Sequence, residues 1–338
     1  MNLCSFTQFN SSGLTVDHAF GNNSRFSVIK IIENWSQVLT YGGGKFFIIP
    51  AAVSLVAVLP ASPLVLLAIF SSNTLYQETR YRLLANTLIS DLIYCIVNLT
   101  ITATNIAPFF FTNILCQFLL ILLSTTYFTG ILNVTAMVVD VFLAINWPLR
   151  YISFLPTPRA VKLIVGIWVV STTSSIFIYV FLSAKETMLC KIPVCIFDII
   201  FFIKPVSQKV SQLYNFIVII LFTVCFVLIV GCYCMMYWKT RSCGIWNGFS
   251  RARQTFSLHS VLFFFYFCPV IILMLETVLY SYYLMDLQSM VYSSMIMSNI
   301  VMMLPRALIP YIYGLRSREL SKTIKSMIKY KVQISPGE

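Results

Sequence analysis

Charged residues are scarce in this chain. Only 10% of its 338 residues are charged and 59% are hydrophobic, whereas about 25% of the residues in an average soluble domain are charged. So few charges cannot cover the surface of a water-soluble protein of this size. We therefore expect an integral membrane protein.

Histidine is almost absent, with two residues, and only 11 residues are acidic. The two histidines, His18 and His259, do not share a span, so we expect no metal site. The isolated acids form no nucleophile-base pair, so we expect neither an enzyme nor a cofactor. Paired charges along a path and inverted repeats are also missing, which leaves a transporter or channel as a distant alternative.

Long apolar runs fill the chain instead. Each run is long enough to cross a hydrocarbon core of about 30 Å as a helix, and none shows the sustained alternation of a barrel strand. The runs lie near residues 46–70, 83–105, 116–145, 162–182, 213–238, 256–280 and 288–314. We predict an all-α membrane protein: an extracellular tail at 1–45, a seven-transmembrane helix bundle at 46–315, and a cytoplasmic segment at 316–338 that holds a short amphipathic eighth helix.

The basic residues indicate the orientation, because cytoplasmic loops close to the spans are enriched in Lys and Arg. With the N-terminus outside, fifteen of the 23 Lys and Arg residues lie on the inner side, seven lie on the outer side, and Arg306 lies within the last span. The net charge of +12 is therefore attributed to topology and to contact with anionic inner-leaflet lipid, and not to nucleic acid.

The first 45 residues are polar and lack the basic start, apolar core and small-residue cleavage site of a removable signal peptide. We expect the first span to serve as a signal anchor. Asn10, Asn22 and Asn34 each begin an Asn-x-Ser triplet. These three positions are predicted glycosylation sites, since the tail is expected to lie outside the cell.

The third span joins a thiol to an acid. From Cys116 to Asp140 a helix rises about 36 Å, enough to cross the membrane. The next outer loop contains Cys190 and Cys195 and faces an oxidising compartment. We predict a disulfide from Cys116 to one of them, with Cys190 preferred and Cys195 as the alternative; a local bond between Cys190 and Cys195 is the competing possibility.

Two charged residues lie deep in the spans. Asp91 is within the second span, and Arg306 is about 15 Å from the inner end of the last one, too deep to reach water easily. Charges at this depth usually face the interior of a helix bundle and pair with each other. We predict a buried Asp91–Arg306 ion pair.

The segment after Gly314 has the pattern of an amphipathic helix. Leu320, Ile324, Met327 and Ile328 fall on one face, and Lys322, Lys325 and Lys329 fall on others. We expect this helix to lie on the inner leaflet, with its lysines near anionic lipid.

Several short motifs occur in a fixed order along the spans. They are Leu88-Ile89-Ser90-Asp91, Cys116, Asp140 with Pro148-Leu149-Arg150, Trp168, Phe263 with Pro269, and Pro310-Tyr311-Ile312-Tyr313. Together with the seven spans, their order and spacing resemble the rhodopsin-like (class A) G-protein-coupled receptors over roughly residues 46–330. The inner loop from 242 to 255 is similar to that of one orphan member, and the end of the last span is also similar to fish odorant receptors.

The resemblance implies a plasma-membrane receptor that passes an extracellular signal to a heterotrimeric G protein; olfactory detection of odorants is the alternative. It implies a ligand pocket at Leu123, Ser124, Tyr127, Phe267 and Ile271. It implies a G-protein face and activation switches at Asp140, Val141, Tyr233, Phe263, Phe267, Pro269, Pro310 and Tyr313.

Departures from the family pattern also carry expectations. Leu123 replaces the acid that amine receptors use, so a simple amine ligand is not expected. Val141 replaces the arginine of the Asp-Arg-Tyr motif, which puts G-protein coupling in question. In the family the second-helix aspartate shares a sodium ion, and Arg306 would place a fixed cation near that site, so we expect weak or absent sodium modulation.

Overall fold

The computed structural model describes residues 45–106, 113–147, 157–183, 195, 208–242, 261, 264–269, 271–272, 275–276, 279 and 287–334. Throughout these ranges the regular secondary structure is helical. Asn10, Asn22, Asn34, Cys190 and Phe263 lie outside the described residues, so the predictions made for them remain predictions.

The first five membrane helices follow the apolar runs of the sequence. They are Lys45–Ser71, Thr79–Ile106, Asn113–Asn146, Thr157–Ser183 and Gln208–Ser242, and a short helix Asn73–Gln77 connects the first two. The sixth is described in part, with residues 264–269 helical. The seventh is made of Leu287–Ile296, a π-helical turn Met297–Val301 and Met303–Arg316, and it is followed by an eighth helix, Arg318–Ile334.

Five of the described helices are long and apolar enough to cross a membrane: Phe46–Ser71, Thr79–Ile106, Ile114–Ala144, Arg159–Phe177 and Tyr292–Gly314. A shorter apolar stretch, Ile219–Met235, lies within the fifth helix. In its most apolar part the second helix is 67% buried and the fourth only 22%. The second helix is therefore central to the bundle, while most of the fourth faces outward.

The seventh helix changes its winding where it meets the second. Asn299 lies in the π-helical turn and is buried, and its Oδ1 accepts hydrogen bonds from Asn98 Nδ2 at 3.0 Å and Thr102 Oγ1 at 2.8 Å. A π-helical turn adds a residue to the helix and often occurs at a functional position. Here it lets one amide side chain hold the C-terminal half of the second helix against the seventh.

The eighth helix begins immediately after the seventh because Ser317 is extended, with φ −74° and ψ 111°. Ser317 Oγ accepts a hydrogen bond from the Leu320 backbone amide at 3.3 Å, which caps the new helix. Leu320 is fully buried, and Ile324 and Met327 pack against the same core. Part of the apolar face expected on lipid therefore contacts the bundle.

A disulfide joins Cys116, at the head of the third helix, to Cys195. The preference for Cys190 was therefore wrong, and the alternative partner is the correct one. Asn105 of the second helix holds the Cys195 peptide from both sides: its Nδ2 donates to the Cys195 carbonyl at 2.9 Å, and its Oδ1 accepts from the Cys195 amide at 2.7 Å. The covalent bond and the asparagine together fix Cys195 to the second and third helices.

Candidate functional site

Arg306 of the seventh helix lies at the centre of the bundle. It is the largest of the fully buried side chains in the described part of the chain, with 1% of the residue exposed. Its Nη1 donates to the backbone carbonyl of Met302, one helical turn earlier. Its Nε lies 3.3 Å from Asp91 Oδ1, so the structure places the two deep charges of the sequence in contact.

Three tyrosine rings enclose the guanidinium of Arg306. Its central carbon lies 3.7 Å from the ring centre of Tyr94, 4.9 Å from that of Tyr266 and 5.4 Å from that of Tyr127. The electron-rich ring faces attract a cation, by about 2 kcal/mol or more where water is excluded. We call this arrangement of Arg306, Asp91, Tyr94, Tyr127 and Tyr266 the arginine cage.

Hydrogen bonds of the tyrosine hydroxyls tie the cage together. Tyr266 donates to Asp91 Oδ1 at 2.8 Å, and Tyr127 donates to the backbone carbonyl of Tyr266 at 2.5 Å. Tyr94 donates to the Met302 sulfur at 3.1 Å. The cage therefore connects the second helix (Asp91 and Tyr94), the third (Tyr127), the sixth (Tyr266) and the seventh (Arg306).

Gly130 allows the sixth helix to approach the third this closely. A Cβ atom at this position would lie 2.7 Å from Cε1 of the Tyr266 ring, closer than real Cβ contacts. Since Tyr266 is 1% exposed and bonded to Asp91, its ring has no free space into which it can move. A glycine is therefore required for the Tyr266–Asp91 contact.

The ion pair is close in distance but incompletely hydrogen-bonded. Arg306 Nε and Nη2 and Asp91 Oδ2 have no hydrogen-bond partner in the described part of the structure, although all three are buried. The hydrogen bond on the aspartate comes instead from Tyr266. A buried pair of this kind contributes little net stability, but losing one partner leaves an uncompensated charge in a low-dielectric interior. Such a pair is suited to fixing one arrangement of helices.

A second polar chain crosses the second, third and fourth helices. Trp168 Nε1 donates to Asn86 Oδ1 at 2.8 Å, and Asn86 Nδ2 donates to Asn133 Oδ1 at 2.9 Å. Sequence reasoning used Trp168 only as a motif position and did not connect it with Asn86. An asparagine within an apolar span was the signal that could have predicted this chain, because a buried amide requires hydrogen-bond partners.

The pocket residues implied by the resemblance are only partly brought together. Tyr127 belongs to the arginine cage, and Phe267 packs edge-on against Phe222 with ring centres 4.8 Å apart. Leu123 packs beside the core, and Ser124 Oγ donates to the Ile121 carbonyl of its own helix at 3.0 Å. Ile271 is 61% exposed. The structure does not place it with the others.

The exposed stripe on the sixth helix explains the position of Ile271. Val261, Phe264 and Leu275 are also at least 50% exposed. With Ile271 they follow one another at three, seven and four residues, which puts all four on one helical face. This face points away from the bundle. The opposite side carries the buried residues Tyr266 and Pro269.

Near the C-terminal end of the third helix, Asp140 is buried and Val141 packs beside the core, so the position next to Asp140 carries no cation. Tyr233 is partly buried, and Pro310 is buried within the seventh helix. Tyr313, one turn further along, donates to the Met137 sulfur at 3.7 Å. The described residues contain no group of three His, Cys, Asp or Glu side chains that could hold a metal ion.

Two comparisons with known proteins agree on one family. The family model described as "7 transmembrane receptor (rhodopsin family)" matches residues 63–313. The chain is also 31% identical over 280 residues to the human protein named "Probable G-protein coupled receptor 148", an alignment that covers 80% of this chain and 79% of the human protein. The earlier similarity of the inner loop was to this same receptor.

Proposed function

Because the chain belongs to the rhodopsin family of seven-transmembrane receptors, we propose that it passes an extracellular signal to a heterotrimeric G protein and that the arginine cage holds the sixth helix at rest. The fold is the all-α seven-helix bundle with an eighth helix, and the protein is a multi-pass membrane receptor. The ligand, the coupling and the outside N-terminus are parts of the proposal.

The hydrogen bond from Tyr266 to Asp91 carries this proposal. It connects the sixth helix directly to the second, and Tyr266 lies three residues before Pro269, a residue that bends a helix and can act as a hinge. An outward swing of the inner half of the sixth helix would draw Tyr266 away from Asp91. The bond therefore favours the resting arrangement to the extent that it is lost in the active one.

Arg306 strengthens the hydrogen bond from Tyr266 to Asp91. Its positive charge keeps Asp91 in place as an acceptor, and a hydrogen bond to a charged group contributes about 1.5–3 kcal/mol. If the bond exists only at rest, its removal shifts the equilibrium toward the active state by about tenfold or more. A ligand in the outer half of the bundle would achieve the same shift by binding the active arrangement more tightly.

The test uses Tyr266→Phe, which removes the hydroxyl and keeps the ring over Arg306. Ligand-independent activation is measured in cells for a panel of Gα subtypes and is normalised to receptor at the surface. We expect a several-fold rise for at least one subtype. Tyr311→Phe is the matched control, since Tyr311 also donates between helices, but its bond, to the Ala57 carbonyl at 2.7 Å, joins the seventh helix to the first.

Val141→Arg belongs in the same panel. It restores a guanidinium beside the buried Asp140 at the inner end of the third helix, where the family carries one. If Val141 is what limits coupling, this variant and Tyr266→Phe together should activate more than either does alone. No activation of any subtype by any of these variants, at normal surface levels, would exclude G-protein coupling as the output.

A further inference from the structure

Glu276 is a buried acid that the arginine cage does not use. It lies in the outer half of the sixth helix, with 5% of the residue exposed. It follows Pro269 by seven residues, about two helical turns or 10 Å, and therefore shares the buried side of the helix with Pro269. The neighbouring Leu275 belongs to the outward-facing stripe and is 55% exposed.

The carboxylate of Glu276 is held by one oxygen only. Ser293 of the seventh helix donates its hydroxyl to Oε1, and Oε2 has no hydrogen-bond partner although it is buried. Arg80 pairs with Glu78 and Glu319, and Arg306 pairs with Asp91. No described cation neutralises Glu276.

A carboxylate in this position is costly unless a cation joins it. A buried ionised group without a partner costs several kcal/mol, and acids within membrane helices usually mark ligand or ion sites. The Ser293 hydroxyl fixes the orientation of the group while Oε2 stays open as an acceptor. One fixed and one open oxygen is the arrangement that an N–H donor of a ligand can complete with a short, charge-assisted hydrogen bond.

We propose that Glu276 and Ser293 form an anionic subsite in the outer half of the bundle that binds an ammonium or guanidinium group of the extracellular ligand. The proposal rests on the proposed receptor function and adds the chemical class of one part of the ligand. Leu123 leaves the outer half of the third helix without a carboxylate. Glu276 supplies one from the sixth helix. The ligand would then differ from a simple amine that anchors to the third helix.

The experiment measures which charge the subsite attracts, with small reagents of known sign. Ser293→Cys in the full-length receptor puts a thiol beside Glu276, and two methanethiosulfonates are applied from outside: the 2-aminoethyl reagent is cationic and the 2-sulfonatoethyl reagent is anionic. Modification rates are read by mass spectrometry of the purified receptor, with the parent receptor as background. The matched variant is Ser293→Cys combined with Glu276→Gln, which keeps the shape and removes the charge.

We expect the cationic reagent to react about tenfold faster than the anionic one beside Glu276, because a charged site in low-dielectric walls concentrates counter-ions. The ratio should fall several-fold in the Glu276→Gln variant. An unchanged ratio would mean that Glu276 is neutral or already paired, and a thiol that reacts with neither reagent would mean a closed site; each outcome overturns the proposal.

Leu279→Cys provides a second thiol position if Ser293→Cys does not fold. Leu279 is partly buried and lies one turn beyond both Glu276 and Leu275, at the edge between the buried side of the sixth helix and its exposed stripe. It leaves the Ser293 hydrogen bond intact. None of these rates depends on a G protein. A failed charge preference would therefore reject the subsite alone, whereas a silent Gα panel would reject the proposed coupling alone.

Discussion

The guanidinium carbon of Arg306 lies 3.7 Å from the ring centre of Tyr94, and the edge of the same group contacts Asp91. One cation is thus shared between a carboxylate and an aromatic face, deep in a bundle where few charges occur. The second and seventh helices are joined by both contacts, and Tyr266 extends the connection to the sixth helix. The cage is therefore a single unit whose parts should respond together to substitution.

Removing one member of the ion pair should destabilise the receptor more than removing both. Arg306→Met leaves Asp91 buried without a cation, and losing one partner of a buried pair costs about 3–5 kcal/mol. Combining it with Asp91→Leu removes the orphaned charge and should recover a large part of that loss. Thermal unfolding of the purified receptor in detergent measures the three variants.

The control for this cycle is the exposed pair between Arg80 and Glu319, whose nitrogen and oxygen are 3.1 Å apart. Both side chains are more than half exposed, so Arg80→Met should change stability by at most about 1 kcal/mol. A double variant no more stable than Arg306→Met would show that Asp91 and Arg306 act independently.

Gly130→Ala should disrupt the cage although it adds a single methyl group. The new Cβ would meet Cε1 of Tyr266 at 2.7 Å, so the ring must move and its hydrogen bond to Asp91 must lengthen. Overpacking of this kind costs about 1–3 kcal/mol. We expect a lower unfolding temperature and, if the bond restrains the sixth helix, higher ligand-independent activation.

Gly166→Ala is the matched control, because a Cβ there meets nothing within 4 Å. In a helix, alanine is favoured over glycine by about 0.5–1 kcal/mol, so this variant should be neutral or slightly more stable. If Gly130→Ala behaved like Gly166→Ala, the close approach of Tyr266 would not restrain the bundle.

Sequence alone could locate the two members of the ion pair but not the residues around them. Charged side chains are so costly in a membrane that Asp91 and Arg306 each required a partner. Tyrosine carries no such penalty at an interface or in a packed core, so nothing in the sequence placed Tyr94, Tyr127 and Tyr266 around this ion pair. These three tyrosines converge because of how each helix is rotated about its axis, and a family motif does not specify that rotation.

The same limit explains the two positions that the structure places differently. The family resemblance implied a pocket position for Ile271, yet the rotation of the sixth helix puts it on the exposed stripe. Cys190 and Cys195 are close in sequence, and spacing could not choose between them. In the structure, the hydrogen bonds from Asn105 favour Cys195 as the partner, because they hold its peptide beside Cys116.

The outer loop should therefore depend on Asn105 as well as on the disulfide. Asn105→Leu removes two hydrogen bonds and leaves the buried amide and carbonyl of Cys195 unpaired, at a cost of about 1–3 kcal/mol for each group. We expect reduced surface expression and a lower unfolding temperature, similar in kind to Cys195→Ser. Thr104→Ala is the neighbouring control, because Thr104 bonds only within its own helix.

Thiol alkylation followed by mass spectrometry checks the pairing itself. Cys190→Ser should leave Cys116 protected from alkylation, and Cys195→Ser should expose it. Protection of Cys116 in the Cys195→Ser variant would contradict the bond seen here. A normal unfolding temperature for Asn105→Leu would show that the asparagine adds nothing to the disulfide.

Sodium should not stabilise this receptor, because the carboxylate that would bind the ion, Asp91, is already paired with Arg306. Asp91 Oδ1 lies 3.3 Å from Arg306 Nε, so a sodium ion on this carboxylate would come within about 4 Å of the guanidinium, where two like charges repel by about 4 kcal/mol near an effective dielectric constant of 20. That repulsion lowers the affinity of Asp91 for sodium by about three orders of magnitude.

The unfolding temperature should thus be the same in sodium chloride and in choline chloride at equal ionic strength. Asp91→Asn identifies any sodium effect that arises elsewhere, since such an effect would survive this substitution. A sodium-specific rise of several degrees that disappears in Asp91→Asn would show that the ion reaches the cage and that Arg306 is not its fixed cation.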